Sequence, residues 1–164
     1  LGGPTYQSPA IPAPTVMPCC QPQPVSPAAG LPALVHGSGI TERIFEFPDE
    51  FGGKPWYDPD GKFLLHIPYV GDLASAQGRL ESVIPAELPV EWEAVKYSET
   101  QLEAVVRDMP NAWLNAIVSF SIDSRMNWVV IAFADADQPE MRQQIFEAYG
   151  DRVVFTVEPR TLPL

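Results

Sequence analysis

The chain has 164 residues, a formal net charge of −11 and 46% apolar residues, which suits one domain with an extension. Such acidity argues against nucleic acid as a partner, because the phosphate backbone would repel it. No apolar run approaches the ~20 residues that a membrane-crossing helix needs, and an opening on Leu1 rather than Met fits the removal of a leader.

Residues 1–39 stand apart from the rest. They contain no Asp, Glu, Lys or Arg, the first charge being Glu42, and they hold nine of the 19 prolines. Proline removes a backbone donor and fixes φ, so neither a helix nor a central strand can form there, and an extended, polyproline-like arm is expected. A disordered linker is the plain alternative. Linkers are usually charged or rich in Ser and Gly, whereas this segment carries Tyr6, Ile11, Val16, Met17, Val25, Leu31, Leu34 and Val35. These side chains are expected to contact a neighbouring subunit.

Cys19 and Cys20 are adjacent and are the chain's only cysteines. A disulfide between sequence neighbours is strained, so in an oxidising compartment each is expected to pair with a thiol on another chain. The alternatives are two reduced thiols, a lipid-bearing cysteine, for which Met17-Pro18 is a poor preceding sequence, and a metal site, for which His36 is the only nearby further ligand. No metal or cofactor is expected.

From Ile40 the pattern becomes that of a folded domain, residues 40–164. Residues 40–50 alternate apolar side chains and suggest a short strand or lead-in. Residues 51–68 suggest a hairpin, with Trp56 and Tyr57 on one arm and Phe63, Leu65 and Ile67 on the other. Asp58-Pro59-Asp60-Gly61 supplies its turn, with Pro at the second position; the same residues are only a fragment of a calcium loop. His66 alternates with apolar neighbours, as a sheet-face residue does. Residues 72–84 form a helix pattern capped by Asp72, with Leu73, Ala76, Leu80, Val83 and Ile84 on one face. Residues 90–97 alternate as a strand, and Glu91 and Glu93 point the same way. A carboxylate pair invites comparison with glycosidases, but charges that protect a strand from stray pairing account for it better.

Residues 96–158 are the most legible stretch. Ser98 and Gln101 form a capping box, and Leu102, Val105, Val106 and Met109 recur on one helix face until Pro110. Val118, Phe120 and Ile122 alternate with Ser119, Ser121 and Asp123 as a half-buried strand. Residues 123–127 carry turn chemistry. Residues 128–134 are almost wholly apolar, as a central strand covered on both faces would be. Asp137 or Gln138 opens a helix with Pro139 in its first turn, buried through Met141, Ile145, Ala148 and Tyr149. Gly150 suits a C-terminal cap, and Val153, Phe155 and Val157 mark a last strand. Asp123, Asp135 and Asp137 fall where turns and caps explain them.

This pattern resembles the prodomain module of secreted S1-type, streptogrisin-like bacterial serine proteases and related stand-alone secreted modules. The carrying residues are Phe51-Gly52-Gly53, Asp58-Pro59-Asp60-Gly61-Lys62, Val95-Lys96-Tyr97-Ser98 with Leu102-Glu103, Ile122-Asp123 with Asn127-Trp128-Val129-Val130, and Tyr149-Gly150-Asp151, over roughly residues 51–158. The resemblance implies a foldase or inhibitor of a protease. The sequence read here carries no protease domain after Leu164, so that role is an alternative rather than the expectation.

No motif assembles a nucleophile, a base and an oxyanion loop, and no phosphate loop or zinc-protease helix is present. Trp56, Trp92, Trp113 and Trp128 would make a carbohydrate platform only if several shared one exposed face; packing is the expected use. The sequence therefore points to an α+β domain, a mostly antiparallel sheet with about three helices, following a proline-rich arm. The expected function is that of a secreted, non-enzymatic subunit of an extracellular filament or surface layer, self-associating through residues 1–39. A prodomain-like inhibitor or chaperone and a lipid-anchored surface binding module are the alternatives.

Overall fold

The structure is a computed structural model that describes residues 35, 37–58 and 64–159. Among them, five α-helices and six strands follow one another as α1 (Ile40–Glu46), β1 (Trp56–Tyr57), β2 (Leu65–Tyr69), α2 (Leu73–Leu80), β3 (Val90–Ala94), α3 (Glu99–Arg107), α4 (Asn111–Leu114), β4 (Ile117–Asp123), β5 (Trp128–Phe133), α5 (Pro139–Tyr149) and β6 (Val153–Val157). The class is α+β.

The strands form two sheets of three, ordered β1-β2-β3 and β4-β5-β6. In each, the first pair is antiparallel and the second parallel. The expectation of one mostly antiparallel sheet with three helices is thus corrected to two mixed sheets and five helices. A hairpin needs only a tight turn, but the strand that follows each hairpin returns through a helix, and a helical crossover delivers it parallel. The two halves repeat one topology: a helix, a hairpin, a crossover helix and a parallel strand, with α4 and a 3-10 turn at Gly150–Arg152 added in the second. Equivalent positions sit in equivalent register, Leu65 beside Val90 and Ile67 beside Trp92 in the first half, Val129 beside Val153 and Ile131 beside Phe155 in the second.

Each half has its own apolar cluster. The first gathers Ile40, Ile44, Phe51, Leu65, Ile67, Ala76 and Leu80, and the second Leu102, Val105, Val129, Ile131, Phe133, Ile145 and Val153. Residues 40–46 are helical rather than a strand, because Ile40 and Ile44 lie four apart and share one helix face against the first sheet. Val35, expected to touch a neighbour, is buried in that same first cluster. The domain's core therefore reaches back across the expected boundary at Ile40.

The capping box at Ser98 is formed as the sequence suggests, Ser98 Oγ accepting from the Gln101 N–H and Gln101 Oε1 from the Ser98 N–H. Asp72 caps α2 by accepting from the Ser75 N–H at 2.9 Å, and Pro139 opens α5. The helix of residues 72–84 stops at Leu80, where the Val83 and Ile84 N–H groups both turn back to its carbonyl; Leu73 is exposed. In β4 the alternation slips: a bulge between Ile117 and Ser119 buries Ile117 and leaves Val118 39% exposed. β5 is the central strand of its sheet. Trp92 packs on the first cluster and Trp113 on the second, and Trp56 stacks on His66, so the tryptophans are divided among separate places.

Candidate functional site

The two halves meet at a strap, residues 48–53, that runs between the first sheet and the start of α3. A helix begins with N–H groups that have no partner within it. Here the strap supplies two: the Glu99 N–H donates to the Phe51 carbonyl at 2.8 Å and the Thr100 N–H to the Pro48 carbonyl at 3.2 Å. On its other side the Gly52 N–H donates to the Pro68 carbonyl at 3.0 Å. Only glycine fits. A Cβ on Gly52 would lie 2.6 Å from Val95 Cγ2, and one on Gly53, whose φ is +117°, would lie 2.6 Å from Ser124 Oγ.

Below the strap, Asn127 ties the second hairpin to the strand end that precedes α3. Its Oδ1 accepts from the Tyr97 N–H at 2.7 Å and its Nδ2 donates to the Tyr97 carbonyl at 2.8 Å. Asn127 is the one non-glycine residue with positive φ among the described residues, +57°, a conformation asparagine tolerates. The Tyr97 hydroxyl bonds Asp151, which Lys96 Nζ also reaches at 2.8 Å. Those two partners hold the Asp151 carboxyl below its usual range, Lys96 first. Residues that lie far apart in sequence, Phe51-Gly52-Gly53, Val95 to Ser98, Asn127 and Asp151, thus converge on one junction.

Just past the strap, Lys54 borders a cavity of about 500 Å³ between α3 and β4. α3 lines it with Glu99, Glu103, Val106 and Arg107, β4 with Phe120, Ser121 and Ile122, the hairpin turn with Ser124, and the residue just after the strap, Lys54, completes it. Its interior is mainly apolar and its titratable groups have both signs. Glu99 is only 8% exposed, and its Oε2 is buried without a hydrogen-bond partner among the described residues. Burial, and then the neighbouring Glu103, push its carboxyl above the ordinary value, with Lys54 acting in the opposite sense. No sequence signal marks this residue, because a Glu at the first position of a helix normally serves the helix dipole in solvent.

A second polar cluster lies on the outer face of the first sheet. His66 Nδ1 is 2.7 Å from Glu93 Oε1, its Nε2 is 3.9 Å from Asp58 Oδ2, and Trp56 stacks on its ring at 5.4 Å. His66 is therefore a sheet-face residue, as its alternation suggests, while Glu93 has a specific partner beyond guarding an edge. Glu91 is exposed. Asp123 accepts from the Met126 N–H within the hairpin turn, and Asp135 from the Asp137 N–H.

Cys19, Cys20 and the arm residues Tyr6, Ile11, Val16, Met17, Val25, Leu31 and Leu34 lie outside the described residues, as do His36 and most of the turn Asp58-Pro59-Asp60-Gly61. No helix among the described residues is long and apolar enough to cross a membrane. No protein-family model matches the chain, and no curated protein matches it significantly.

Proposed function

We propose that this protein is a secreted, non-enzymatic assembly subunit of an extracellular filament or surface layer. In this reading the uncharged residues before Val35 contact the next copy, and Cys19 and Cys20 close disulfides between chains. The observation that carries it is the unequal protection of the sheet edges. An edge strand offers unpaired N–H and C=O groups to any passing chain, and monomeric proteins blunt such edges by shortness or charge. In the first sheet, β1 is two residues long and β3 carries Glu91 and Glu93. In the second, β6 is Val-Val-Phe-Thr-Val with no charge, and Val157 on it is 41% exposed. An uncharged edge and an uncharged leading segment in one chain suit head-to-tail association, which yields fibres when it does not close. Electrophoresis of native material without reductant should give a ladder that collapses to one band on reduction. A single monomer band in both lanes removes the covalent contact.

A second reading is a protease-regulatory module. It is favoured by the helix, hairpin, helix and strand order of residues 98–157, the stretch that bears much of the prodomain resemblance. Failure to inhibit or refold a streptogrisin-like protease in an activity assay would count against it.

A further inference from the structure

Self-assembly makes no use of the cavity beneath the strap, yet its chemistry is specific. Glu99, Glu103 and Arg107 follow one another at intervals of four and so share one face of α3. From the first to the last is roughly 12 Å along the axis. β4 runs back along this face, and Phe120, Ile122 and Val106 give the cavity an apolar floor. Lys54 closes the end at Glu99, and Arg107, whose Nε also donates to Asp108 Oδ1 at 3.2 Å, stands at the other. Two carboxyls therefore lie between two cations over an apolar surface. One of them, Glu99, is more than nine-tenths buried and has an oxygen that nothing among the described residues satisfies. A buried acceptor left unpaired costs free energy that a ligand's donor would recover.

We propose that this cavity binds a small zwitterion with an apolar side chain, an α-amino acid of the phenylalanine type. Its ammonium donates to Glu99 and Glu103, its carboxylate meets Lys54 or Arg107, and its side chain lies on Val106, Phe120 and Ile122. At about 500 Å³ the cavity falls within the roughly 300–1,000 Å³ range of small-molecule pockets and has room for a ligand of this size. A simple amine would face the cations at the rim uncompensated, and a simple carboxylate would face the carboxyls of α3.

The test is an amide-resolved NMR titration of the full chain with L-phenylalanine, phenethylamine, which lacks the carboxylate, and 3-phenylpropanoate, which lacks the ammonium. L-Phenylalanine should shift amides of residues 99–107 and 120–124 saturably. Each analogue should bind about tenfold more weakly or worse, the loss of one charge-assisted contact. Glu99→Gln should bring L-phenylalanine down to the level of 3-phenylpropanoate, and Lys54→Met should lower it toward phenethylamine, with the remaining spectrum unchanged in each. Glu103→Gln, at an exposed position, gives the same comparison should Glu99→Gln fail to fold. Absence of saturable shifts at millimolar L-phenylalanine, shifts confined to other residues, or an analogue that binds as tightly overturns the proposal.

Discussion

Replacing Gly53 with alanine tests whether the strap joins the two halves in the way described. At φ +117° a side chain is strained whatever space surrounds it, and residues held in such regions cost roughly 1–3 kcal/mol. The new Cβ would also lie 2.6 Å from Ser124 Oγ. Because that oxygen ends a short side chain that can rotate, the backbone should supply most of the loss. Gly53→Ala is therefore expected to destabilise by about 2–3 kcal/mol. Gly52→Ala meets Val95 Cγ2 at 2.6 Å and both Asn127 Nδ2 and Pro68 Cβ at 3.2 Å, an overpacking that typically costs about 1–3 kcal/mol. Gly78, inside α2 with nothing within 4 Å of its would-be Cβ, is the control. There alanine should stabilise by roughly 0.5–1 kcal/mol, since glycine gives up more freedom on entering a helix. Urea unfolding followed by tryptophan fluorescence measures all three. If Gly53→Ala falls within about 0.5 kcal/mol of the parent, or if Gly78→Ala loses as much as Gly53→Ala, the strap is not the constrained joint described here.

Two further predictions concern the same junction. Asn127→Ala removes both bonds to the Tyr97 backbone and puts a Cβ-only side chain at positive φ, so a loss of about 2–3 kcal/mol is expected, with Asn127→Gly losing less; equal losses would mean that the backbone conformation matters little. Glu99 governs a pH dependence. Burial raises its carboxyl above the ordinary value in the folded chain, so the native state holds that proton more tightly than the unfolded one, and stability falls as pH rises from the unfolded value through the folded one. Glu99→Gln deletes this step, so its stability relative to the parent should improve across that window; urea unfolding at a series of pH values that showed a constant difference would contradict the burial argument. Asp72 and Asp151, both held below the usual carboxylate range by their partners, act in the opposite sense, and their contribution is lost as the pH falls through those lowered values.

The second half of the fold was readable because its signals are local. Ser98 with Gln101, Pro139 and Gly150 mark boundaries within one turn of helix, and the β5 run Trp128–Phe133 is apolar enough to be a central strand whatever surrounds it. The first half was harder. Ile40-Thr41-Glu42-Arg43-Ile44 fits both a helical and a strand spacing, and only burial of Ile40 and Ile44 against the first sheet decides between them. Parallel pairing of β3 with β2 and of β6 with β5 depends on which edge a returning strand joins, and alternation within a strand carries no such information. The bulge after Ile117 could not be foreseen, since Val118 is as good a core residue by composition. Glu99 and Lys54 are 45 positions apart in the chain. Nothing in their spacing predicts a shared cavity; it follows from the close approach that Gly52 and Gly53 permit.

Whether the leading segment joins one copy to the next is decided by the mass in solution of the chain with and without residues 1–34. Light scattering on eluted native material should show multimers for the full chain and a folded monomer for the shortened one. Equal masses for the two, both monomeric, would contradict the account.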